Sequence, residues 1–266
     1  MTDAVLAEVR YLDEPWRNRD ERPFIFSRET RHKNTIKHEV PITNARPMVA
    51  DGSIDFDKNG FTLNSFDHGV TDWNSNAQVL ATYADMIVPM LKSLTDCEDA
   101  FVMGHQVRNE NPETFLGAYS RYVHCDYPLH PMHERETGLL KRYESSLADE
   151  IEDRDYIWYN IWAPIERVAE QNQLCIVDAA SARLDDFREY HFSPKAEGGY
   201  ATLPLYNPNH RFYYFDDMQT DECIVFKQYD SRADKPMVCP HTSFFDIHKG
   251  ERASRRSVEY RALCIL

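Results

Sequence analysis

From residue 100 onwards the chain is a succession of short runs rich in Tyr, Phe, Val, Ile and Trp, cut apart by clusters of Asn, Asp, Gly and Pro. Segments of this kind read as strands. They fall at 100–107, 118–127, 156–162, 173–178, 200–205, 211–215, 222–229, 238–245 and 257–266. Many short strands after a few helices point to a mainly β fold with flanking helices: a double-stranded β-helix (jelly roll, cupin-like) with its helices on the outside.

Upstream the pattern differs. Residues 13–48 are polar and irregular, with Pro15, Pro23, Pro41 and Pro47. They read as an extended arm over the body, with room for one short strand. The stretch 54–70 suggests a strand or two around Asn59-Gly60. After the N-cap signal of Asn74-Ser75-Asn76, apolar residues Val79, Tyr83, Met86, Ile87, Met90, Leu91 and Leu94 recur at helical spacing. This predicts an outer helix over 76–95, kinked by Pro89. A second, more charged helix is expected over 131–151. The expected organisation is one domain over 1–266, with 1–75 as arm and first strands and the β core in 100–127 and 156–266.

Composition narrows the class. Hydrophobic residues are 42% of the 266, and charged residues 28%, an ordinary globular mix. The formal net charge of -14 disfavours nucleic acid and anionic membranes as partners. No apolar run reaches membrane-spanning length, and the N-terminal residues show no signal-peptide core. Cys97, Cys125, Cys175, Cys223, Cys239 and Cys264 form no C-x-x-C pair and lie mostly in apolar runs. They are expected to be buried free thiols in a reducing, cytoplasmic compartment.

The chemistry-bearing residues are few. His124 and Asp126 stand two apart in a strand-like run, so their side chains share a face. His241 follows far downstream in Cys239-Pro240-His241-Thr242. Two imidazoles and one carboxylate, with the remaining positions open, match the facial triad of non-haem iron oxygenases. The spacing alone is a weak signal, and a hydrogen-bonded strand histidine is the plain alternative. In the final segment Arg255, Ser257, Glu259 and Arg261 alternate with Arg256, Val258, Tyr260, Ala262 and Cys264. Arg255 and Ser257, beginning fourteen residues after His241, suit a carboxylate anchor made of a guanidinium fork and a hydroxyl. Asn160 and Arg261 are further candidates for contact with a co-substrate. Lys227, His105, His130 and His133 read more readily as structural or exposed.

These residues carry a resemblance. The runs Asn160-Ile161-Trp162-Ala163-Pro164, Asp178-Ala179-Ala180-Ser181, His210-Arg211-Phe212-Tyr213-Tyr214-Phe215, Phe226-Lys227-Gln228-Tyr229-Asp230-Ser231, Pro240-His241-Thr242 and Arg255-Arg256-Ser257-Val258-Glu259-Tyr260-Arg261 matter most. With the His124/Asp126 pair, they make the chain similar to a family of fungal and bacterial natural-product oxygenases. That family includes gibberellin desaturase and the cephamycin 7α-hydroxylase component. The resemblance covers roughly residues 5–266. It implies a double-stranded β-helix, Fe(II) held by His124, Asp126 and His241, and 2-oxoglutarate held by Arg255 and Ser257. It also implies dioxygen as a reactant and a small natural-product or amino-acid-derived substrate that is hydroxylated, desaturated or cyclised. A homodimer is compatible with it. Two positions depart from the family, which usually has Arg where this chain has Ala163 and Ala180. If they face the pocket, substrate preference has changed; if they lie outside it, only stability has. A cupin-like metal-dependent isomerase or hydrolase, or a non-catalytic jelly-roll binding protein, are the other readings of the same residues.

Overall fold

The computed structural model describes residues 4–108, 120–253 and 255–266. Twelve strands are defined among them: β1 (Ala4–Leu12), β2 (Thr35–Asn44), β3 (Phe61–Ser65), β4 (Asp99–Arg108), β5 (Tyr156–Ile165), β6 (Leu174–Val177), β7 (Phe187–His191), β8 (Tyr200–Pro204), β9 (Phe212–Tyr214), β10 (Glu222–Asp230), β11 (His241–Ser243) and β12 (Arg256–Ile265). One five-stranded sheet runs β3-β10-β5-β12-β4, and a second runs β1-β2-β9-β6-β11. A β7-β8 hairpin completes the set. All pairings are antiparallel except β2 with β9. The expected jelly roll with outer helices is the observed architecture.

Residue parity builds its layers. On β5, Ile157, Tyr159, Ile161, Ala163 and Ile165 face an apolar layer that also takes Val258, Tyr260, Ala262 and Cys264 of β12. The outer helix closes this layer with Val79, Ile87 and Leu91. The opposite faces of β5 and β12 line the interior of the roll. Phe61, Trp162, Ile176, Phe215, Ile224 and Phe226 fill one end of that interior. Trp158, Leu263 and Ile265 fill the other, under Leu139 and Leu140 of the helix His133–Arg142. Between these apolar ends the inner face turns polar, and the candidate site lies there.

The outer helix is continuous, but it passes from Asn76–Thr82 through one π turn, Tyr83–Ile87, into Val88–Thr95. Pro89 has no N–H to complete the regular ladder, and the π turn takes up the irregularity. The second helix is shorter than expected and gives way to two 3₁₀ turns, Ser146–Asp149 and Ile151–Asp153. No helix among the described residues is long and apolar enough to cross a membrane.

Three expectations are corrected. The strand in 13–48 is longer than expected: β2 runs over Thr35–Asn44 and pairs with β1 in register over nine residues from Ala4↔Thr43 to Leu12↔Thr35, with Ala7, Val9, Val40 and Ile42 turned inward. The alternation was there, but charged outward residues and Pro41, tolerated beside the edge strand, obscured it. Asn59-Gly60 ends the short helix Phe56–Asn59 instead of joining strands. Gly60 has φ +79°, and a Cβ there would stand 2.7 Å from Cys239 Sγ, so only glycine fits. Finally, the opening of the expected 118–127 strand lies outside the described residues. Its remainder forms two isolated bridges, His124 to His241 and Cys125 to Thr202. All six cysteines are free and buried, as expected.

Candidate metal centre

Backbone hydrogen bonding fixes the heart of the site. His124 N–H donates to the His241 carbonyl at 3.0 Å, and His241 N–H donates back to His124 at 2.9 Å. This reciprocal bridge joins residues more than a hundred positions apart and sets their rings 4.3 Å apart between centroids. Asp126 follows two residues on, with Oδ1 3.6 Å from His124 Nε2. One donor atom from each of His124, Asp126 and His241 lies within 4.8 Å of the others.

The donors are in a suitable chemical state. His124 Nδ1 lies 2.9 Å from the Tyr122 carbonyl. A carbonyl only accepts, so Nδ1 carries the proton and Nε2 offers its lone pair toward Asp126. Burial depresses the pKa of both imidazoles: His124 is lowered, partly offset by Asp126, and His241 well below its usual value with His124 adding to the effect. They are therefore neutral ligands at ordinary pH. Burial alone would raise the Asp126 carboxyl. The Arg261 guanidinium and the Asn160 hydrogen bond outweigh it and hold the group below the usual carboxylate range. Two neutral imidazoles and a carboxylate, buried together, fit a divalent transition metal.

The surrounding strands shape this cluster. Gln228 is the extra residue of a β-bulge in β10, between Lys227 and Tyr229. The bulge re-aims its side chain, so that Oε1 accepts from Asp126 N–H at 2.8 Å and Nε2 donates to the Cys239 carbonyl at 2.9 Å. The same amide nitrogen stands 3.5 Å from His241 Nδ1. Gln228 was not singled out from sequence, because simple alternation does not foresee a bulge. The bulge also overturns the reading of Lys227 as outward. Lys227 is fully buried, donating to Asp230 at 2.6 Å and to the Pro236 carbonyl at 3.1 Å, and so pins the loop that leads into His241.

A cleft opens beside the cluster, lined by His124, His241, Trp162, Arg108, Arg255 and Glu259 among others. Arg255 is 3% exposed, lies over the Trp162 ring at 5.1 Å and donates to the Asn172 carbonyl. Ser257 is buried, and its hydroxyl has no hydrogen-bond partner among the described residues. A buried hydroxyl without a partner, two residues from a buried arginine, suits an acceptor-rich ligand. Asn160 and Arg261, expected at the co-substrate, are engaged elsewhere. Asn160 Nδ2 donates to Asp126 Oδ2 at 2.6 Å, and Arg261 Nε to the same oxygen at 3.1 Å. Glu259 and Arg108 joined the site without being foreseen in it.

Other sequence candidates lie apart. His105 bonds the Tyr83 hydroxyl on the helix-covered side, and His130 pairs with Glu189 near the surface. Ala163 is buried in the outer layer and Ala180 is exposed, so neither departure from the expected arginines faces the cleft. Asp178 is a structural hub: it caps Ala180 N–H and accepts from Asn59 and from both Nε and Nη2 of Arg211.

Comparison with known proteins agrees with the fold. The chain is 26% identical over 224 residues to the alpha-ketoglutarate-dependent dioxygenase phiK of Fungal sp., covering 79% of this chain and 78% of that one. It is 25% identical over 235 residues to the hydroxylase/desaturase CTB9 of Cercospora beticola, covering 77% and 69%. The solved iron and alpha-ketoglutarate-dependent endoperoxidase NvfI superposes with TM-score 0.84 at 19% identity, over 100% of this chain and 98% of that one. A family model described as an oxidoreductase/YMDC permease-like domain matches residues 9–265. Since that match spans nearly the whole chain, the protein belongs to the oxidoreductase/YMDC permease-like domain family.

Proposed function

We propose that the protein is an Fe(II)- and 2-oxoglutarate-dependent oxygenase in which His124, Asp126 and His241 hold the iron and Arg255 and Ser257 anchor the co-substrate. One observation carries this reading: two neutral imidazoles and an ionised carboxylate converge within 4.8 Å on a cleft that a buried arginine shares. An iron bound there supplies the dioxygen and one-electron chemistry that side chains lack. The overall reaction consumes dioxygen and 2-oxoglutarate, releases succinate and carbon dioxide, and oxidises a C–H bond of a small substrate. The outcome is hydroxylation, desaturation or cyclisation of a natural-product or amino-acid-derived compound. The activities for which phiK and CTB9 are named support this class, and the likeness to gibberellin desaturase and the cephamycin hydroxylase component points to the same range of outcomes.

The protein's own part is positioning and exclusion of water. Arg255 offers a planar fork matched to a carboxylate, and Trp162 beneath it keeps that fork in an apolar setting. The His124–His241 bridge keeps both imidazoles oriented before any ligand arrives. Purified protein with Fe(II), 2-oxoglutarate and dioxygen should form succinate slowly even without substrate, and His124→Ala should abolish it. Metal-dependent turnover indifferent to 2-oxoglutarate would favour an isomerase or hydrolase. Failure to bind metal or 2-oxoglutarate would favour a binding protein.

A further inference from the structure

Asp126 presents its two oxygens to different surroundings. Oδ1 faces His124 Nε2 at 3.6 Å. Oδ2 accepts from Asn160 Nδ2 at 2.6 Å and from Arg261 Nε at 3.1 Å. These donors are not incidental neighbours: Arg261 and Asn160 are register partners across β12 and β5, so the sheet itself sets them side by side on the inner face. Arg261 is held in turn by Glu259, two residues back on that face, through Nη2 to Oε1 at 2.7 Å. Arg108, on β4, stands 4.0 Å from the same Glu259 oxygen. The result is a chain of alternating charge running from the cleft to the carboxylate.

We propose that Asn160 and Arg261, with Glu259 behind Arg261, are positioning residues that confine Asp126 to one-oxygen ligation of the metal. The inference rests on the metal reading above and adds to it the geometry of one ligand. A carboxylate oxygen already accepting two strong hydrogen bonds has its lone pairs occupied. Turning it onto a metal would break both bonds and leave the half-buried Arg261 guanidinium with Glu259 alone. Asp126 therefore occupies one coordination position, and the position a second oxygen would take stays free for exchangeable ligands. Outer-shell partners of this kind orient metal ligands and tune their affinity.

The test is anaerobic titration of the full-length apo-protein with Co(II), a spectroscopic probe for the ferrous ion. It reads both the dissociation constant and the visible absorption of the bound metal. Arg261→Gln and Asn160→Leu are expected to weaken Co(II) binding by about 10- to 100-fold and to alter the spectrum as Asp126 turns. Glu259→Ala should act in the same direction, and Glu259→Gln, which keeps an acceptor for Arg261, should restore most of the affinity. A merely structural role would lower the melting temperature of the apo-protein yet leave affinity and spectrum of the folded variants unmoved. Affinities within twofold of wild type with unchanged spectra would overturn the proposal. If Arg261→Gln does not fold, Asn160→Leu and the Glu259 pair decide the matter by the same criteria. Wild-type protein that takes up neither Co(II) nor Fe(II) would sink the metal reading together with this one, whereas tight wild-type binding with indifferent variants sinks this one alone.

Discussion

Replacing Arg255 by glutamine probes the proposed co-substrate anchor most directly. The guanidinium is 3% exposed and lies over the Trp162 ring, so hydrogen bonds it makes to a carboxylate are shielded from water. A hydrogen bond to a charged group contributes about 1.5–3 kcal/mol, and a fork makes two of them. Glutamine keeps a single neutral donor, so a net loss of about 3 kcal/mol is expected, or roughly 150-fold in the dissociation constant. Arg255→Lys keeps the charge without the fork and should lose about tenfold. The assay is titration of 2-oxoglutarate into Mn(II)-loaded protein, followed by calorimetry and by tryptophan fluorescence, since Trp162 lies against the anchor. Mn(II) affinity itself should change little, because the hydrogen bonds on Asp126 come from Asn160, Arg261 and Gln228. An unchanged 2-oxoglutarate affinity in Arg255→Gln would refute the assignment. The anchor would then pass to Arg108, the other guanidinium lining the cleft.

Further outcomes follow from the packing. His210 is buried beside the Tyr11 hydroxyl and Asp186, and burial lowers its pKa to about 4 despite Asp186. The unfolded chain then binds a proton that the folded chain refuses as pH falls through the interval from about 6.5 to about 4, so stability is present above that interval and is lost within it. This group alone should cost about 2 kcal/mol near pH 5; urea unfolding of His210→Gln should show a flatter acid limb, and an unchanged limb would contradict the cause. Lys227→Met should destabilise by about 3–5 kcal/mol, because it strips one partner from the buried Asp230 carboxylate; a melting temperature equal to wild type would count against that. Gly60→Ala combines a positive φ with a contact against Cys239 and should lower stability by more than about 1 kcal/mol. Ala180→Arg should be neutral within about 0.5 kcal/mol at its exposed position, whereas Ala163→Arg forces a guanidinium into the apolar outer layer and should abolish soluble expression or cooperative unfolding. Equal behaviour of the two arginine variants would mean that Ala163 is not packed as described.

Much of this molecule was legible along the chain. Alternation in the last segment placed Arg255, Ser257, Glu259 and Arg261 on one face and Val258, Tyr260, Ala262 and Cys264 on the other, and that is how β12 divides the interior of the roll from its helix-covered side. The strand-rich composition, the outer helix with its proline irregularity, the buried thiols and the His124, Asp126 and His241 triplet were also accessible. Local periodicity and side-chain chemistry are enough for each of these.

The remainder depends on partners far away in sequence. The Ala4–Leu12 strand alternates only weakly in sequence, and its in-register pairing with β2 is what makes it a strand. Gln228 enters the site through a bulge that reverses the face expected from its neighbours. Asn160 and Arg261 carry donors that would suit either a co-substrate or a carboxylate of the chain itself. The β5–β12 register sets them opposite one another, and both donate to Asp126. A strand's alternation tells which residues share a face, but only the pairing of strands tells what that face meets, and hydrogen-bond partners are decided at that second stage.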